Sequence, residues 1–245
     1  MEIILKKVMP YLALLLCISC GYKSPVNNLR MVEQNGLSAA DKAVGWQSLF
    51  DGTEITKWRV YQEEGMRGWE VRDGAMWALG MDGKPADIVT IDTFKNFELS
   101  LEWTTSEKGN SGIFFNVRED AELPAVYHTG PEYQLIDNEG YGDAIQPGQK
   151  SGANYDMHPP RYDVTLPPGN WNKSRLIVDQ GHVQHWMNGK KIVEYELWTP
   201  EWEDLRSKAK WKDYPKYGVY SSGHIALQDH GNRTGFRNLK VRRLD

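Results

Sequence analysis

Three short stretches hold polar side chains of the kinds that move protons or hold developing negative charge. In Pro131-Glu132-Tyr133-Gln134-Leu135-Ile136-Asp137, strand alternation sends Tyr133 and Leu135 to one side and Glu132 with Gln134 to the other. A carboxylate and an amide thus share one sheet face. In Asn110 to Arg118, Ile113, Phe115 and Val117 oppose Asn110, Phe114, Asn116 and Arg118, and the second set reads as a ligand face. Near the C-terminus Ile225 and Leu227 alternate with Ala226 and Gln228, followed by Asp229-His230-Gly231-Asn232 and Phe236-Arg237-Asn238, the densest polar cluster in the chain. Glu132 and His230 are acid–base types, whereas Arg237 and Gln228 are types that hold an oxyanion. The plain alternatives are solvated strand ends and an ion pair between Glu132 and Arg237.

These residues need strands to present them, and the chain supplies strand punctuation throughout. Short apolar runs alternate with turn signals at Arg72-Asp73-Gly74, Met81-Asp82-Gly83, Asn138-Glu139-Gly140 and Asn188-Gly189, the pattern of an all-β sandwich. Phe97 to Trp103 alternates strictly, with Phe97, Leu99, Leu101 and Trp103 expected in the core and Glu98, Ser100 and Glu102 in water. Arg175–Val178, His182–Met187 and Lys191–Tyr195, joined by turns at Gln180-Gly181 and Asn188-Gly189, read as a β-meander. Trp186 is expected on the face opposite His185 and Met187, and Trp103 and Trp46 in the core. Thr199-Pro200, an N-cap followed by proline, precedes Trp202, Leu205 and Ala209 at helical spacing, so a short helix is expected near 200–210. It serves either as a packed insertion or as a lid.

Composition narrows the class. The 245 residues are 40% hydrophobic and 25% charged, enough for one large domain that buries roughly 70% of its unfolded surface without staples. A formal charge of -4 argues against a nucleic-acid partner. Cys17 and Cys20 are the only cysteines, so disulfide frameworks and cysteine-ligated zinc are excluded. Both end an apolar run, Val8 to Ile18, that follows Lys6-Lys7 in the layout of a secretory signal. Cleavage before Cys20 would make that residue the acylated N-terminus of a lipoprotein; Cys17, where an aliphatic residue is usual, and an ordinary signal peptide form the alternative. The expected organisation is a signal peptide over 1–19, a tether over 20–43, and a single β-sandwich domain over 44–245. Gly21-Tyr22-Lys23-Ser24 lacks an acidic export cluster, which favours a lipid-anchored, periplasm-facing position in the cell envelope.

Seven segments in order resemble the 3-keto-disaccharide hydrolase family: Gly45 to Gly52, Asn110 to Phe115, Glu132 to Asp137, Ser151 to Asp156, Trp171-Asn172, His185 to Gly189 and Leu227 to Gly231. The resemblance spans nearly the whole domain and implies a concanavalin A-like jelly roll, a two-sheet antiparallel β-sandwich. It implies action on 3-keto-glycosides of an oligosaccharide or glycoside class, in which the ketone acidifies the C2 proton and elimination or hydrolysis follows at C1. Glu132 or His230 would then move the proton, Arg237 and Gln228 would hold the enolate oxygen, and Asp137 would orient His230 or ligate an ion. Asn110, Asn116, Gln134, Tyr155 and Asp229 complete the expected substrate contacts. Ten tryptophans exceed what a core demands and suit stacking on sugar rings. A partner oxidoreductase would supply the 3-keto sugar. No nucleotide loop is present and no cofactor is predicted; His158, Glu132, Asp137, Asp229 and His230 are ligand types, but without an HExxH spacing a divalent metal stays unassigned. A non-catalytic carbohydrate-binding lipoprotein of the same fold is the other reading.

Overall fold

Alternation along the strands dictates two packed layers, and the computed structural model, which describes residues 35–244, contains them. In chain order the described strands are β1 (Gln47–Ser48), β2 (Trp58–Val60), β3 (Trp69–Arg72), β4 (Ala75–Ala78), β5 (Ile88–Thr90), β6 (Phe97–Thr105), β7 (Asn110–Val117), β8 (Glu132–Ile136), β9 (Asn172–Asp179), β10 (His182–Met187), β11 (Lys190–Glu196), β12 (His224–Leu227) and β13 (Thr234–Arg243). Short helices α1 (Ala39–Ala43), α2 (Asn138–Tyr141) and α3 (Pro200–Lys208) punctuate them. The eight-stranded sheet runs β11-β10-β9-β6-β13-β4-β3 with β1 added to β13, and the five-stranded sheet runs β2-β5-β12-β7-β8. Every pairing is antiparallel, so the chain is the two-sheet jelly-roll sandwich expected of it.

The core lies between the sheets. Phe97, Leu99, Leu101 and Trp103 of β6 meet Ile113 and Phe115 of β7, Tyr133 and Leu135 of β8, and Ile225 and Leu227 of β12. Trp103 finds a partner for its indole N–H in the Ser174 hydroxyl at 2.9 Å, which lets so large a ring be fully buried. The meander forms as read, with Asn188 and Gly189 both in the left-handed region at φ +49° and +83°. Trp186 points outward beneath Arg175, while His185 and Met187 are buried.

Four expectations change. Glu98 and Ser100 are buried on the outer face of the eight-stranded sheet, because the guanidinium groups of Arg175 and Arg242 close over the Glu98 carboxylate. Trp46 is half-buried outside the core, under Lys240 and Arg242. Asn116 has φ +54° and forms a bulge that turns Val117 to the outer face of the five-stranded sheet. There Val117 packs with Phe114, Tyr61, Val89, Val126 and Ala226, so Phe114 and Asn116 lie under a second apolar layer and touch no open surface.

The last residues of the stretch read as a tether carry α1, capped by Ser38 and Asp41, and are fastened by Asp41 to Lys240 and by Asn35 to Gly74 and Asn238. The signal peptide, Cys17 and Cys20 fall outside the described residues.

Candidate active site

The outer face of the five-stranded sheet carries the site. Register aligns Gly112 with Gln134 and Phe114 with Glu132, and the Gln228 amide donates to the Gly112 carbonyl at 3.0 Å. Glu132, Gln134, Gly112 and Gln228 therefore share one face, together with Asn110 and with Asp87, which precedes β5. The Glu132 carboxylate leans over Gly112: a Cβ there would stand 2.7 Å from Glu132 Oε1 and 2.9 Å from the Phe114 ring. Only glycine leaves that space.

The walls come from three segments. A 3-10 turn, Val126–His128, brings Tyr127 and His128; the loop after β8 brings Tyr155, whose amide donates to the Glu132 carbonyl at 3.1 Å. The third is the helical insertion. Thr199 caps α3 by accepting from the Trp202 amide at 3.2 Å, with Pro200 at the first helical position, and α3 passes into a 3-10 turn, Lys210–Asp213. Trp202 and Trp211 anchor it in the core, so it packs as an insertion and at the same time delivers Lys210 to the site. The Lys210 ammonium sits 4.2 Å from the Tyr155 ring centroid, 4.3 Å from that of Trp211 and 5.7 Å from that of Tyr127. Tyr214 closes the rim against Tyr127 and His128.

Electrostatics follow from burial. Among the described residues no hydrogen-bond donor reaches the Glu132 carboxylate, which is 5% exposed, so desolvation pushes its pKa up to about 8, with the Asp87 charge adding and Lys210 opposing. Burial also pushes Asp87 up to about 7, against the Asp229 amide that donates to it at 3.0 Å. Asp229 is raised by burial, and one of its oxygens, Oδ2, has no partner among the described residues. Tyr155 is raised by burial and by Glu132. Burial lowers Lys210, an effect that Glu132 and Asp156 oppose. Two carboxyls poised near neutrality and one ammonium on a shared face can take, hold and return a proton beside a stabilised oxyanion.

Of the residues chosen from sequence, Glu132, Gln134, Gln228, Asn110 and Tyr155 come together, with Asp229 at the edge beside Asp87. The others do not join them. His230 is exposed in the turn after β12, and no interaction links it to Glu132. Arg237 lies on β13 in the other sheet, where it pairs with Glu102 at 2.8 Å and stacks 4.0 Å over Trp171; it meets neither Glu132 nor an oxyanion site. Asp137 caps α2, accepting from the Gly140 amide at 3.0 Å and the Lys108 amide at 2.9 Å, and does not orient His230. Asn116 is consumed by its bulge. His158 stacks on Tyr195 at 4.6 Å and is held neutral, its pKa lowered by burial to about 4. Among the described residues no three His, Cys, Asp or Glu side chains converge as metal ligands.

Sequence reasoning missed Asp87, Lys210, Tyr127 and His128. Asp87 carries a signal in its alternation with Ile88, a core residue one step along the strand. Lys210 carries none, since only tertiary packing aims the end of the insertion at β8.

Buried acids thus lie beneath aromatic and cationic side chains on one face of a two-sheet sandwich, an arrangement suited to acid–base chemistry on a bound ligand. Residues 45–242 match the 3-keto-alpha-glucoside-1,2-lyase-like domain, and the chain belongs to that family. It is 33% identical to a 3-keto-disaccharide hydrolase of Bacteroides thetaiotaomicron, over 89% of this chain and 85% of that protein. A solved structure from Parabacteroides distasonis, described as a candidate glycosyl hydrolase, is similar with a TM-score of 0.81 at 35% identity, covering 86% of this chain and 99% of the other. A second from the same organism, described likewise, gives 0.65 at 28% identity, covering 81% and 99%.

Proposed function

We propose that the chain cleaves 3-keto-glycosides by removing the C2 proton and expelling the C1 substituent. The observation that carries this reading is Glu132, a buried carboxylate with no hydrogen-bond donor among the described residues, coupled to the Lys210 ammonium and to Asp87. Hydrolysis of an unoxidised glycoside uses an oxocarbenium-like transition state between two carboxyl groups, whereas a C3 ketone needs one strong base and an oxyanion partner. A carboxylate that ionises near pH 8 is a much stronger base than one in water. Glu132 takes the C2 proton, and the electron pair passes to the C3 oxygen as an enolate. Lys210 faces that charge, with Tyr155 beside it. Collapse of the enolate breaks the C1–O bond, and the leaving oxygen receives a proton from Asp87, the second buried carboxyl of this face. Water adding across the resulting C1–C2 double bond completes hydrolysis; release without it is the lyase outcome.

The 3-keto substrate requires a prior oxidation, which we assign to a partner oxidoreductase. Acylation of Cys20 and a periplasm-facing anchor belong to the same proposal and rest on residues 1–20. Incubation with a chromogenic 3-keto-glucoside and with its unoxidised parent tests the activity: release from the keto compound alone is expected. Equal release from both would point to ordinary glycoside hydrolysis. Sugar binding with no release from either would make the chain a binding module.

A further inference from the structure

A cavity of about 1020 Å³ lies away from Glu132, at one end of the eight-stranded sheet. Its lining includes the indoles of Trp77 and Trp171, centroids 6.1 Å apart at 68°, with the charged side chains Glu107, Lys108, Glu139 and Arg233 around them. The two rings belong to one transverse row. Trp77 on β4 pairs with Gly235 on β13, Gly235 pairs with Thr104 on β6, and Trp171 immediately precedes β9, the next strand over. A Cβ at Gly235 would stand 2.9 Å from the Trp77 ring, so the missing side chain lets that indole lie against the sheet. Arg237 stacks over Trp171 and is itself fixed by Glu102. Two residues that the catalytic face leaves out, Arg237 and Asp137, are therefore the ones that set this groove: the first holds an indole and the second caps the α2 turn that forms its wall.

The chemistry of the groove selects its ligand. Paired indoles offer flat apolar faces, which match the C–H faces of pyranose rings. Glu107 and Glu139 stand against Lys108 and Arg233, and the further acid, Asp137, is turned to the Lys108 and Gly140 amides, so the rim offers both acceptors and donors and suits a neutral ligand rich in hydroxyls over an anionic one. Thr104, 3% exposed, lines the groove, and its hydroxyl has no hydrogen-bond partner among the described residues. A buried hydroxyl left in this state gains a partner when a polar ligand arrives. The volume is at the upper end of the roughly 300–1,000 Å³ range of small-molecule sites, ample for more than one sugar ring.

We infer that the Trp77–Trp171 groove is a second, non-catalytic carbohydrate site that holds a neutral, unoxidised glycan chain. It lies on the opposite sheet from Glu132, so it is occupied while the catalytic face works. The inference shares with the proposed function only the premise that the ligands are sugars.

Full-length protein run in native affinity gels containing laminarin, xyloglucan or amylopectin is expected to be retarded in at least one. Trp77→Ala should weaken that binding about tenfold, the worth of one lost stacking contact. Turnover of a small chromogenic 3-keto-glucoside should stay within about twofold, since the variant leaves Glu132, Asp87 and Lys210 untouched. Thr104→Val preserves shape and removes only the hydroxyl; it guards against misfolding of the tryptophan variant and should also weaken retardation. The inference is overturned if the wild-type chain is retarded in none of the gels, or if both variants are retarded as strongly as the wild type. A chain that turns over no 3-keto-glucoside but still binds through Trp77 would overturn the proposed reaction and leave this site standing.

Discussion

Glu98 and Glu132 are equally buried, 4% and 5% exposed, and each lies on the outer face of its sheet. Their surroundings differ in one respect. Two guanidinium groups, from Arg175 and Arg242, donate to Glu98, whereas among the described residues no donor reaches Glu132 and its nearest cation, Lys210, acts through space. Burial with full hydrogen bonding makes a carboxylate part of the framework; burial without it stores basicity. The difference traces to neighbouring strands: β9 and β13 flank Glu98 with arginines, while β7 offers Glu132 a glycine.

Glu132→Gln is the severest test of this contrast. It removes the base and preserves shape, so turnover of a 3-keto-glycoside should fall by roughly 10² to 10⁴. Exchange of the C2 hydrogen with deuterated solvent, followed by NMR, should stop as well. Asp87→Asn should keep that exchange and lose cleavage; the reverse pattern would swap the two roles. Lys210→Met comes next, with a fall of about 10² in kcat expected from loss of an oxyanion partner. An unchanged kcat would remove Lys210 from the chemistry.

The same comparison has a stability side. Glu98→Gln leaves two guanidinium groups without a carboxylate and should cost about 1–3 kcal/mol in a urea melt, a figure kept low because both arginines are about one-third exposed. Glu132→Gln should cost little at pH 7, where the folded-state carboxyl already holds its proton, and should stabilise above about pH 8, where the buried group would otherwise ionise.

Titration separates the two further. The folded-state pKa of Glu132, about 8, exceeds its ordinary 4.5, so the native state binds the extra proton between those values and stability falls as pH rises through about 8. Asp87 acts in the same sense between 3.8 and about 7. His158 and His185, lowered by burial to about 4 and about 3 from 6.5, oppose this by losing stability as pH falls below 6.5. Melts of wild type and Glu132→Gln at pH 5 and pH 8 cancel the shared groups: the wild type should lose more on going to pH 8. Parallel curves would mean that Glu132 is not protonated in the native state. His230→Ala is the smallest effect expected, turnover within about twofold, because this exposed turn residue makes no interaction with Glu132. Loss of activity there would return the histidine to the base role that residue type alone allowed it.

Much of the fold was legible because alternation is a local property of strand geometry. The β6 core residues, the turns at Gln180-Gly181 and Asn188-Gly189, the helix start at Thr199-Pro200, and the shared face of Glu132 and Gln134 all follow from neighbours within a few positions. The same rule failed at Val117, where one residue in the left-handed region reversed the faces beyond it.

Which sheet a strand joins is another matter, and tertiary structure alone decided it. Gln228 and Arg237 stand nine positions apart in one polar cluster, yet β12 closes the five-stranded sheet and β13 crosses to the other. Gln228 reaches Glu132's face, and Arg237 reaches Trp171 on the far side of the molecule. Lys210 travels the opposite way, from a remote insertion to the rim above Glu132, because Trp202 and Trp211 dock that insertion in the core. Residue type and spacing determined which side of a strand each group occupies; strand order across the two sheets determined which groups meet, since hydrogen-bond pairing between distant strands is a long-range choice that no local pattern encodes.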